Sequence, residues 1–127
     1  VLTDDRRQLG MDLLPLASLN SMTLLGSELV GRSYGGGMLK LEPREAMRLP
    51  VPSDVVLRGE AGRTLRRQRP QLMRLLRSGQ LERVVDLVDE ALLVPQSGMS
   101  PVTVAKLAEA RRVLVARRSA RGRASAD

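Results

Sequence analysis

Two groups of side chains in this sequence have types and spacing suited to chemistry, and in both the chemistry is phosphate recognition. In the first, Arg32, Ser33, Tyr34 and Lys40 bracket three consecutive glycines, Gly35, Gly36 and Gly37. Glycines lack a Cβ, so such a backbone can approach another surface closely with its amide donors uncovered. The flanking guanidinium, hydroxyl, phenol and ammonium groups are donors of the kind that contact phosphate and sugar. Tyr34, the one aromatic residue, suits either a contact residue or a core anchor. In the second group, Arg117, Arg118, Arg121 and Arg123 crowd into the last stretch of the chain, where they would track phosphates.

Bond-making chemistry is poorly provided for. A phosphate loop of the Gly-Lys-Ser/Thr kind fails because Met38 and Leu39 follow Gly37, and Lys40 stands where the third glycine of G-x-G-x-x-G belongs. Glu42 and Glu45 lie three apart after the glycines, beside Pro43, where helix-dipole pairing and solvation account for them better than a catalytic pair. There is no His and no Cys, which excludes a zinc site, a thiol nucleophile, an imidazole base and a disulfide framework. We assign no catalytic, cofactor-binding or metal residue.

The 127 residues suit one small domain, and a hydrophobic content of 43% is enough for an aliphatic core. The net charge of +7 is concentrated. Residues 1–57 carry 6 basic and 7 acidic groups, 58–83 carry 8 and 2, 84–99 carry 0 and 3, and 100–127 carry 7 and 2. Clustering of this kind is the footprint of a surface that meets a polyanion. Arginine supplies 19 of the 21 basic residues, a composition that codon usage in a GC-rich genome would also produce. The apolar residues 11–25 include Asp12, Pro15 and Asn20 and are too few and too polar to span a bilayer. No targeting signal is present, so the expectation is a cytoplasmic protein. A start at Val1 reads as a piece of a longer chain.

The elements that must position these groups are mostly helical. Ser18 or Asn20 can cap a helix with Met22, Leu25 and Leu29 on one face and Gly31 as its stop. After the glycines, Met38, Leu39, Lys40 and Leu41 permit an extended segment, Pro43 suits the start of a helical turn through Met47, and Leu49, Pro50, Val51 and Pro52 force an extended path. Residues 53–62 read as a linker. A helix is expected over residues 69–77, with Pro70 in its first turn and Ser78 and Gly79 closing it. Leu81, Val84, Val85, Val88 and Leu92 then form a core stripe, with Asp86, Asp89 and Glu90 away from it. Ser100 and Pro101 start a last helix using Val104, Leu107, Ala108, Leu114 and Val115, which frays from Ala120. The expected fold is α+β and predominantly α-helical: a helix, a glycine turn and a short extended element, then about three helices. The expected division is 1–57, adjoining a catalytic domain not contained here, and 58–127, a basic helical region with a frayed tail.

The order of motifs over residues 20–52, NSMTLLGSELVGRSYGGGMLKLEPREAMRLPVP, resembles the segment that follows the catalytic domain in bacterial adenine-N6 DNA methyltransferases of restriction-modification and phage-defence systems. The later VVDLVDEALL and RRVLVARRSARGR resemble the C-terminal tails of the same enzymes. The family's glycine loop for S-adenosylmethionine and its Asn/Asp-Pro-Pro-Tyr/Phe motif for the flipped adenine are missing, and no two prolines are adjacent.

The resemblance implies a target-recognition fragment that contacts double-stranded DNA for an upstream methyl-transfer domain. It is not expected to be catalytic alone, and S-adenosylmethionine is implied only for the parent. The expected DNA-contacting residues are Arg32, Tyr34, Gly35, Gly36, Gly37, Lys40, Arg117, Arg118, Arg121 and Arg123. The alternative is a helical protein-interaction module without DNA contact.

Overall fold

The computed structural model describes residues 4–126. In chain order the elements are α1 (Asp4–Asp12), α2 (Leu14–Ala17), α3 (Ser21–Val30), β1 (Arg32–Tyr34), a 3-10 turn (Gly35–Gly37), β2 (Met38–Lys40), α4 (Pro43–Ala46), α5 (Asp54–Arg58), α6 (Glu60–Arg77), α7 (Leu81–Ser97) and α8 (Pro101–Ala126). The fold is therefore predominantly helical α+β, as the sequence predicts. No helix among the described residues is long and apolar enough to cross a membrane.

The chain divides into two compact units. The first comprises the described residues up to Asn20 with Val51–Val104, and the second comprises Ser21–Pro50 with the described residues from Ala105 onward.

The first unit is a helical cluster. Leu9, Leu13 and Leu16 of α1, α2 and their junction meet Leu57, Leu65, Leu72, Val84, Val88 and Leu92 in one aliphatic core. Burying a leucine of this kind contributes about 1.5–3 kcal/mol relative to leaving it in water. α6 and α7 form an αα-hairpin closed by the Gly79 amide on the Leu76 carbonyl and the Gln80 amide on the Leu75 carbonyl. The Ser78–Gly79 stop lies where the sequence predicts it. Asn20 donates from Nδ2 to the Ala17 carbonyl at 2.7 Å, closing α2.

Three expectations are corrected in this unit. Residues 53–62 are not a linker: Ser53 caps α5 by accepting from the Val56 amide, and α6 starts at Glu60. The α6 helix extends nine residues further upstream than residues 69–77, so Pro70 is interior. Burial of Ala61 and Leu65 on the same face as Leu72 and Leu75 draws the upstream half into the core. Pro70 points to the exposed side, as does Arg66, whose carbonyl loses its usual amide partner there. In α7 the stripe of Val84, Val85, Val88 and Leu92 is buried, but Leu81 is exposed and Asp89 is buried instead of turned away.

In the second unit α3 leads through Gly31 into a two-stranded antiparallel hairpin, with Arg32 opposite Lys40, Ser33 opposite Leu39 and Tyr34 opposite Met38. The sequence predicts only the second strand. Three residues are too few to show an alternation, and Arg-Ser-Tyr carries no apolar face. The expected apolar face of α3 is also corrected: Leu29 is 67% exposed, whereas Ser21 and Thr23 are buried. Thr23 Oγ1 donates to the Pro50 carbonyl at 2.5 Å, which ties Pro50 back to α3; Leu49, expected to be extended, instead lies in a bend with its amide on the Ala46 carbonyl at 3.2 Å.

α8 begins as predicted, with Ser100 Oγ accepting from the Thr103 amide at 3.2 Å. It continues as helix through Ala126 instead of fraying from Ala120, while Asp127 lies outside the described residues. Its covered side follows a four-three spacing: Val104, Ala108, Arg111, Val115, Arg118 and Gly122 are buried or half-buried. Two arginines and a glycine replace the aliphatic residues that a sequence stripe would require.

Candidate nucleic-acid interface

The hairpin turn is tight because two of its glycines occupy backbone conformations that other residues rarely adopt. Gly36 and Gly37 have φ of +77° and +76°. Tyr34 stands beside the turn and is 49% exposed, so it is no core anchor. The Lys40 ammonium lies 5.0 Å from its ring centroid, within cation–π range.

Below the hairpin, Glu42 and Glu45 cap α4. The Glu42 carboxylate accepts from the Glu45 amide and the Glu45 carboxylate from the Glu42 amide, a reciprocal capping box. Their three-residue spacing thus has the structural role that the sequence favours. Each carboxylate also holds a cation of the hairpin: Arg32 Nε lies 2.9 Å from Glu45, and Lys40 Nζ lies 3.1 Å from Glu42. These pairs orient Arg32 and Lys40 and offset part of their charge.

The backbone hydrogen bond from Glu42, helped by Arg32, holds the Glu45 carboxyl below its ordinary range. A carboxyl depressed in the folded state contributes stability that is present above the unfolded carboxylate value and is lost as pH falls through the lower folded value. Glu45→Gln is therefore expected to flatten the acid limb of the stability profile below about pH 4, the ordinary carboxylate range. Denaturant titrations across that range read it, and an unaltered acid limb would show that the box contributes nothing.

The last helix reaches this hairpin through two residues. Arg118 places Nη2 2.8 Å from Glu28 Oε1 and Nε 3.0 Å from Oε2, a forked pair in which Glu28 is 7% and Arg118 18% exposed. Its Nη1 also donates to the Gly37 carbonyl. Glu28 raises the Arg118 pKa above its ordinary value. One turn on, Gly122 lies against the glycine turn so closely that a Cβ there would stand 2.2 Å from the Gly37 nitrogen. Beside this contact Ser33, Tyr34, Gly35, Arg121 and Gly122 line a shallow cleft of about 270 Å³.

The structure thus brings Tyr34, Gly35 and Arg121 together, although 86 positions separate Gly35 from Arg121 in the sequence. Arg117 shares an exposed side of α8 with Arg121, one turn away. Arg123 is exposed about 200° around the helix from Arg121, on another side. Arg118 is turned inward, so the four arginines do not form one surface.

Two residues of this arrangement are missed by sequence reasoning. Gly122 carries a signal, since a glycine inside a helix costs stability unless something needs the room. Glu28 carries only a weak one, as a lone acid within the apolar residues of α3.

Residues 3–93 match the family model described as the C-terminal domain of the type II methyltransferase M.Eco57I. The chain belongs to this family. In this M.Eco57I-type C-terminal domain the matched stretch contains α3, the hairpin, α4 and most of α7. The α8 residues Arg117, Arg118, Arg121 and Gly122 follow it. No curated protein and no solved structure matches the chain.

Proposed function

We propose that this chain is the DNA-contacting C-terminal domain of an adenine-specific N6 DNA methyltransferase. In this reading it holds duplex DNA for a catalytic domain elsewhere in the parent, which binds S-adenosylmethionine and transfers the methyl group. One observation carries the reading: the exposed Tyr34 and the exposed backbone at Gly35 share a cleft with Arg121, so an aromatic ring, a glycine backbone and a guanidinium converge. Arg117 extends the positive side along α8, and Lys40 adds charge over the ring. Arg118 positions the arginine-bearing helix and does not itself reach for phosphate.

The glycine turn does not fit S-adenosylmethionine. Its Gly37 carbonyl is taken by Arg118, its inner side is filled by the α8 backbone at Gly122, and no carboxylate lines the adjacent cleft to receive ribose hydroxyls. This supports assigning cofactor binding and catalysis to the parent's other domain.

The reading is tested with Arg117→Gln and Arg121→Gln together, leaving Arg118 intact so that the docking of α8 survives. The slope of log affinity for a short duplex against log salt should become shallower by about 2, one for each phosphate that is no longer neutralised. If the unaltered chain has no affinity for duplex DNA in low salt, DNA contact is refuted and a protein-interaction module remains.

A further inference from the structure

Outside the hairpin cleft, the strongest charged feature of the described residues lies on α6. Arg66, Arg69, Arg74 and Arg77, with Pro70 and Met73, line an open cleft of about 540 Å³ on the exposed side of the helix. Intervals of three, five and three residues spread the four arginines over about 140° of the helix surface, on the side away from the buried Ala61, Leu65, Leu72 and Leu75. No acid takes part. Glu60 is engaged upstream by Arg63 and Arg67 at 3.1 and 3.5 Å. Among the described residues no hydrogen bond or ion pair engages the guanidinium groups of Arg66, Arg69, Arg74 or Arg77.

Like charges three apart on a helix, as in Arg66/Arg69 and Arg74/Arg77, repel at about 0.2–0.5 kcal/mol per pair. The helix dipole favours Arg74 and Arg77 in the last turn, yet that effect dies away within one turn and leaves Arg66 and Arg69 unexplained. A stripe of unneutralised guanidiniums running about 16 Å along a helix matches a row of phosphates on a nucleic-acid backbone. The partner that fits it is an extended polyanion.

We propose that this stripe of α6 is a second contact surface for duplex DNA, binding the phosphate backbone without reading sequence. The proposal rests on the reading of the chain as a DNA-contacting domain and adds a surface in the first unit that does not depend on the hairpin cleft.

The test uses the full chain with Arg66, Arg69, Arg74 and Arg77 all replaced by Gln, a residue that keeps the helix. Affinity for a duplex of about 20 base pairs is measured between about 50 and 200 mM salt. The salt slope should become shallower by about 3 to 4 and affinity should fall at least tenfold for every sequence alike. Circular dichroism checks folding. If the quadruple variant does not fold, the pairs R66Q/R69Q and R74Q/R77Q should each produce about half the change in slope.

An unchanged slope in a folded variant overturns the proposal, and so does a loss confined to one DNA sequence. Salt-sensitive binding to anionic lipid vesicles or polyglutamate, with DNA binding untouched by the substitutions, also overturns it. If the unaltered chain binds no DNA at all, the functional reading falls too; if only R117Q/R121Q alters the salt slope, this inference alone falls.

Discussion

Replacing Gly122 with valine is expected to detach the last helix from the glycine turn and to destabilise the chain by about 2–3 kcal/mol, the upper part of the range for overpacking. A Cβ at this position would stand 2.2 Å from the Gly37 nitrogen and 2.5 Å from both the Gly36 carbonyl carbon and the Gly37 Cα. All three atoms are backbone, so no side chain can rotate away. Gly37 is further constrained by its φ of +76° and by the hydrogen bond from Arg118 to its carbonyl. Alanine at 122 would gain about 0.5–1 kcal/mol of helix propensity, which is too little to offset the clash. Gly10 in α1 is the control: nothing lies within 4 Å of a Cβ there, so Gly10→Ala should be neutral or slightly stabilising. Chemical denaturation of the two variants reads the contrast. Equal stability would mean that α8 does not depend on the close approach of Gly37 and Gly122.

Arg118→Leu is expected to cost about 3 kcal/mol, the lower end for breaking a buried pair, since Arg118 is only partly covered. The substitution leaves the Glu28 carboxylate, 7% exposed, without the guanidinium that forks onto both its oxygens. It also leaves the Gly37 carbonyl without its charged donor. Much of the expected cost is the desolvated charge left behind. Adding Glu28→Gln to Arg118→Leu should therefore recover part of it, giving a favourable coupling energy in a double-mutant cycle. Additive single and double variants would show that the pair does not stabilise the unit. DNA affinity provides a second readout: it should fall with Arg118→Leu because Arg121 loses its place beside Tyr34, although Arg118 contacts no phosphate itself.

Much of the helical architecture is legible in the residues. The Val84, Val85, Val88 and Leu92 stripe, the Ser78–Gly79 stop and the Ser100 cap of α8 are local signals, set by periodicity and by backbone groups that need partners within one turn. The Gly36 conformation is legible for the same reason, because three glycines before a β-prone run leave a tight turn as the economical solution. The start of α6 is not legible. Pro70 is a strong local signal for a helix beginning, but burial of Ala61 and Leu65 outweighs one missing hydrogen bond. β1 is hidden because three exposed residues acquire strand geometry from the partner strand alone.

The candidate interface divides along the same line. The residue types in this chain already narrow the chemistry open to it: the absence of His and Cys excludes imidazole, thiol and Cys/His-zinc catalysis, and clustered arginine beside a glycine turn and a single tyrosine is a composition suited to a polyanion. Which arginines face outward is decided only by the tertiary structure. Arg117, Arg118 and Arg121 are equivalent in sequence, yet Arg118 is claimed by Glu28, 90 positions away, while Arg121 is set beside Tyr34. A charge cluster in sequence carries no information on which member meets a buried acid, because that acid comes from another helix and is specified by packing. The missing side chain at Gly122 is what lets the two backbones meet, and only the folded chain shows what occupies that space.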